Sequence, residues 1–146
     1  MNRAQKIAWF TLVMLALALG LSAAAFGVAY FILGVSAGRA AGGFGFIGIM
    51  GFSGLAPLLF KKDKDQVQLD ERDLLIKRRV MLGAYSIFWP LFVLAAMAPF
   101  FVVGPNGTVP VAYLPWMVFG GMFVVMLVQA IATLEQYGWR GQGEKP

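Results

Sequence analysis

The sequence predicts an all-α polytopic membrane protein, with four transmembrane helices forming two hairpins joined by a charged cytoplasmic loop. Three observations carry this. Ile7 to Phe60 holds one charged residue, Arg39, in 54 positions, and Val80 to Leu134 holds none in 55. Between them, the 19 residues from Lys61 to Arg79 hold seven basic and five acidic side chains. Overall, 60% of the residues are hydrophobic and 13% charged, far from the balance of a water-soluble domain, whose helices need polar faces.

The first span covers about residues 7–33, long enough to cross a hydrocarbon core of about 30 Å with some tilt. Arg3 and Lys6, the apolar run and Ser22-Ala23-Ala24-Ala25 imitate a cleavable signal peptide. The apolar stretch continues through Phe26, Val28, Tyr30 and Leu33, which favours a retained helix. Residues 34–42 are small and polar and read as a turn. A second, shorter span covers 43–60. The loop 61–79 follows, then a third span over 81–103, ended by Gly104-Pro105-Asn106-Gly107-Thr108, which has strong turn chemistry. Asn106-Gly107-Thr108 also matches a glycosylation sequon, but a short hairpin at the membrane reads more simply as a turn. The fourth span covers 111–134. The 146 residues make a single membrane domain.

Orientation follows from basic residues near the span ends. Eleven of the 12 lie at the amino terminus, in the central loop or in the tail, against Arg39 on the other side. Both termini and the loop are therefore expected in the cytoplasm. Trp9, Tyr30, Tyr85, Tyr113, Trp116, Tyr137 and Trp139 fall near the expected interfaces, as aromatic belts do. Trp89 lies deep unless the third helix begins well outside the bilayer.

The net charge of +5 could suggest nucleic acid. The basic residues flank apolar runs instead, so lipid headgroups are the expected counter-charge, with Lys77, Arg78 and Arg79 meeting them before the third span. With no cysteine and no histidine, the chain lacks disulfides, thiolate chemistry and the usual zinc and haem ligands. No catalytic, cofactor-binding or metal-binding residue is assigned, and no cofactor is expected.

Small residues are the next signal. Gly42, Gly43, Gly45, Gly48, Gly51 and Gly54 crowd the second span, and Ala16, Gly20 and Ala24 follow small-xxx-small spacing on the first. Close helix packing through Gly20, Gly48 and Gly51 is favoured over a pore lined by backbone carbonyls. Polar residues in the spans are few: Thr11, Ser22, Ser53, Ser86, Gln129 and Thr133. Without a carboxylate, lysine or histidine at membrane depth, a proton relay is not expected, and Gln129 reads as an interhelical hydrogen bond. Pro57, Pro90 and Pro99 are expected to bend their helices or sit near helix ends.

Asp70-Glu71-Arg72-Asp73 reads as a helix start. Asp70 suits the N-cap, Asp73 falls at the capping-box position, and Asp73 to Lys77 is a favourable i,i+4 pair. The alternative is a docking or divalent-cation site, which the capped helix makes unnecessary. Asp70-Glu71-Arg72-Asp73 with Ile76, ahead of a membrane hairpin and the tail Glu135-Gln136-Tyr137-Gly138, resembles a family of small bacterial membrane proteins of unknown function. They share an Asp-Glu-Arg-Asp signature in the cytoplasmic loop. The continuation Trp139-Arg140-Gly141 is less basic than the ending of some relatives. The resemblance implies four spans in a bacterial inner membrane and gives no activity, substrate or cofactor. The functional expectation is a non-enzymatic accessory, sensory or immunity-type module acting through helix packing and its loop. Its partners would be membrane lipids and a protein partner or a second copy of itself, with no nucleic acid. The alternative is a small oligomeric channel or transporter.

Overall fold

A computed structural model of the chain describes residues 1–60 and 71–138. The chain divides into two compact units, Met1–Asp63 and Lys64–Pro146. Each is a helical hairpin, and four helical segments are long and apolar enough to cross a membrane: Arg3–Ile32, Ala37–Leu59, Glu71–Val103 and Tyr113–Tyr137. Many large apolar side chains on them are open to the surroundings, including Phe31, Leu58, Trp89 and Val102. That is what lipid-facing helices require and water would penalise.

In the first unit, α1 (Arg3–Gly27) continues into one π turn, Val28–Ile32. Gly34, with φ +63°, takes the left-handed position that stops it, and the Val35 N–H reaches back to the Ala29 carbonyl at 3.0 Å. This six-residue closure satisfies an end carbonyl that lipid cannot. The expected turn over 34–42 is therefore much shorter, because helix resumes at once: α2 (Ala37–Ala40) leads into a 3₁₀ helix over Ala41–Leu55, then α3 (Ala56–Leu59). Ala56 N–H donates to the Ser53 carbonyl, the acceptor that Pro57, with no N–H, leaves open.

α1 turns Ala8, Leu15, Ala18 and Ser22 inward, at the spacing of an α-helical stripe. The opposing arm buries Met50, Ser53 and Ala56, at a spacing of three. Phe26 meets Phe44 near one end (5.4 Å between ring centroids) and Phe10 meets Phe60 near the other (6.0 Å).

The second unit pairs α4 (Glu71–Val103) with α5 (Tyr113–Tyr137). α4 begins ten residues before the expected span, so Trp89 lies in its middle rather than near a membrane-entry end. Between the helices, Gly104 at φ +82° ends α4, and the Gly107 N–H donates to the Gly104 carbonyl at 3.2 Å. A side chain at Gly107 would overlap Val103, so the turn reads as its sequence suggests. Ile76, Val80 and Ala84 on α4 and Ala130 and Leu134 on α5 are buried.

Candidate functional site

The charged residues that precede the third span form the most distinctive constellation. Glu71 and Arg72 are exposed, and so are Lys77, Arg78 and Arg79, spread over the first turns of α4. Asp73 is half-buried and accepts a hydrogen bond at 2.6 Å from the hydroxyl of Tyr137, 64 residues away at the end of α5. A phenol donating to a carboxylate makes a short, charge-assisted bond. It ties the Asp-Glu-Arg-Asp segment to the Glu135-Gln136-Tyr137-Gly138 tail. Asp73 therefore closes the open end of the hairpin, and no Asp73–Lys77 ion pair occurs among the described residues. Asp70 lies outside them, and so does Trp139.

The other end of this hairpin carries a second tie. Pro99 has no N–H to offer the carbonyl four residues earlier, that of Ala95. Tyr113, at the first turn of α5, donates its hydroxyl to that carbonyl. A neighbouring helix thus satisfies the acceptor that the proline freed, the usual way lipid-embedded helices tolerate proline. Between the ties, the Phe88 ring lies where a side chain at Gly121 would sit, 2.8 Å from its edge. Tyrosine, proline and glycine are placed as a set along α4 and α5.

Hydroxyls within the spans turn to their own helices. Thr11 donates to the Ile7 carbonyl at 3.0 Å, Ser86 to Leu82 at 2.8 Å and Thr133 to Gln129 at 2.7 Å. Gln129 is half-buried, and the expected interhelical bond from its side chain is not made among the described residues; its backbone carbonyl takes Thr133 instead. Ser22 Oγ is buried and has no hydrogen-bond partner among the described residues. No group of three His, Cys, Asp or Glu side chains comes together as a metal site among the described residues.

At the membrane-entry end of the first unit, Arg3 donates from Nε to the Phe60 carbonyl at 2.5 Å and from Nη2 to the Pro57 carbonyl at 3.1 Å. A cation on the last carbonyls of a helix complements its dipole. The Asn2 N–H donates to Gln5 Oε1 at 2.7 Å, the returning arm of a capping box at the start of α1.

The small residues fall differently from expectation. A Cβ at Gly20, Gly48 or Gly51 would meet nothing within 4 Å, so these are not the packing positions of the first hairpin. Gly43 is: a Cβ there would lie 2.8 Å from Phe26 N and 3.0 Å from Ala25 C, backbone against backbone. Gly20 lies on the exposed side of α1, and for Gly48 and Gly51 the reason is the helix type. With three residues per turn, positions i and i+3 eclipse. Gly42, Gly45, Gly48, Gly51 and Gly54 therefore form one straight, exposed row, while Phe44, Ile47, Met50 and Ser53 form the row turned toward α1. The signal was present as the unbroken spacing of three glycines apart, a period no α-helix keeps on one face.

Residues 4–135 match the family described as Predicted membrane protein (DUF2178). The chain belongs to that family. The likeness to a membrane protein family of unknown function holds across the matched residues, which include Asp73 and end two positions before Tyr137. Comparison with curated proteins and with solved structures gave no match.

Proposed function

We propose that the protein is a non-enzymatic membrane module of the accessory, sensory or immunity type, acting through helix packing and its charged loop. The observation that supports this best is the open glycine row from Gly42 to Gly54. Among the described residues of this hairpin, no atom lies within 4 Å of a side chain placed at Gly42, Gly45, Gly48, Gly51 or Gly54, so only hydrogen atoms would separate a partner's side chains from the backbone. Such faces let helices approach closely in lipid, where packing replaces the hydrophobic drive. Ser22, Ser53 and Ser86 have no histidine in the chain to activate them as nucleophiles. The partners are membrane lipids and another membrane helix, from a second copy or a different protein, and not nucleic acid. The basic residues on one side support a bacterial inner-membrane location with both termini in the cytoplasm, where Lys77, Arg78 and Arg79 meet headgroups.

Cross-linking in native membranes tests the reading. The native chain should cross-link to a second membrane helix through reagents placed beside the glycine row. Gly48→Leu with Gly51→Leu should lose that product while melting in detergent stays unchanged. Equal cross-linking of both forms would sink the proposal. Ion or solute flux above the lipid-only background in proteoliposomes would favour a channel instead.

A further inference from the structure

We propose that Ala41–Leu55 is a two-state length element, a 3₁₀ helix in a thick bilayer and an α-helix in a thinner one. This goes beyond the reading above and needs no partner. Runs of 3₁₀ helix beyond three or four residues are uncommon, because eclipsed side chains crowd and the hydrogen bonds are poorly aligned. This one continues for 15 residues. The glycine row explains how: of the three eclipsed rows, one carries no side chains at all, and the crowding there vanishes.

The α form is also within reach. Single α-helical turns, Ala37–Ala40 and Ala56–Leu59, stand at both ends, so conversion propagates from existing helix without a new nucleus. In the 3₁₀ form the row turned to α1 runs through Phe44, Ile47, Met50 and Ser53. An α-helix pivoting on Ile47 and Met50 keeps Gly43 against α1 and brings Gly54 to that face, at spacings of four, three and four. Both forms therefore offer α1 an apolar face, as a bistable element requires. They differ in reach. With its flanking α turns, the span Ala37–Leu59 is about 42 Å long when Ala41–Leu55 is 3₁₀ and about 35 Å long when it is α. A thinner bilayer favours the shorter form by removing hydrophobic mismatch.

The chain has no cysteine, so Gly38→Cys with Leu58→Cys gives two unique labelling sites on exposed positions flanking the segment. Pulsed electron resonance then reads the distance between nitroxides in vesicles of long-chain dierucoyl or short-chain dimyristoleoyl phosphatidylcholine. A backbone separation of about 38 Å is expected in the thick bilayer, falling toward about 30 Å in the thin one. The triple variant Gly45→Ala, Gly48→Ala, Gly51→Ala restores methyl groups to the eclipsed row and should hold the short distance in both. A distance that is the same in both lipids for the native glycines overturns the proposal, whether or not the triple variant inserts. So does a triple variant whose distances track the native ones.

Discussion

Gly43→Ala should destabilise the first hairpin. The added Cβ would sit 2.8 Å from Phe26 N, 3.0 Å from Ala25 C and 3.1 Å from Ala25 Cβ. Ordinary carbon contacts lie at about 3.5–4.0 Å, so the two backbones must part by several tenths of an ångström. No flexible side-chain tip stands there to give way. Overpacking of this kind costs about 1–3 kcal/mol. Alanine also gains up to about 1 kcal/mol over glycine within a helix, so the net loss should be about 1–2 kcal/mol. Gly48→Ala is the matched reference: its methyl meets nothing within 4 Å, and its eclipsed neighbours Gly45 and Gly51 carry no side chains. The difference between the two variants isolates the steric term. Unfolding in mixed detergent and dodecyl sulfate, followed by tryptophan fluorescence, measures it. Indistinguishable midpoints would mean that α1 and the opposing arm do not touch at Gly43, and the packing argument would fall.

Tyr113→Phe should cost about 1–2 kcal/mol by leaving the Ala95 carbonyl without a donor, and the loss should shrink in a Pro99→Ala background that restores the backbone N–H; additivity of the two variants would refute the tie. At the other end, Asp73→Ala and Tyr137→Phe should each cost about 1 kcal/mol and not add, whereas Asp73→Asn keeps an acceptor and should cost less; three equal losses would mean that charge alone matters. Arg3→Gln should expose the Pro57 and Phe60 carbonyls and speed amide exchange in the last turn of the first hairpin, with unchanged exchange counting against the cap. Reporter fusions after Lys64 and at the C-terminus should report cytoplasm, and those at Gly38 or Asn106 the opposite side; a reversed signal at Lys64 would overturn the orientation.

The spans were legible because hydropathy accumulates over twenty residues, and a run without charge leaves no other reading. The Gly104–Gly107 turn was legible for a local reason, since Pro105 fixes its own φ and Gly104 admits the left-handed φ that ends α4. Helix type was not. Hydropathy registers which residues are apolar but is blind to the rise per residue, so the second arm read as an ordinary short span. The packing glycine was misplaced for the same cause: with 3.6 residues per turn, Gly48 and Gly51 share a flank, whereas with three they stand directly in line and turn outward. Asp73 was singled out on its neighbours in sequence, and its partner stands 64 positions on, where no local pattern points back to it. Arg3 was counted for its charge alone, yet its guanidinium closes the first hairpin.

The bond between Asp73 and Tyr137 also imposes an order on biosynthesis. Translation at about 5–20 residues per second separates the two side chains by roughly 3–13 s. Throughout that interval α4 must hold its place in the membrane with its carboxylate facing water or headgroups. Only when the last turn of α5 has emerged can the phenol reach it. Closure of the hairpin thus certifies that α5 has crossed the bilayer and returned to the side from which α4 entered. A chain stopped at Gln136 would carry both spans of this hairpin and lack the contact that joins their ends.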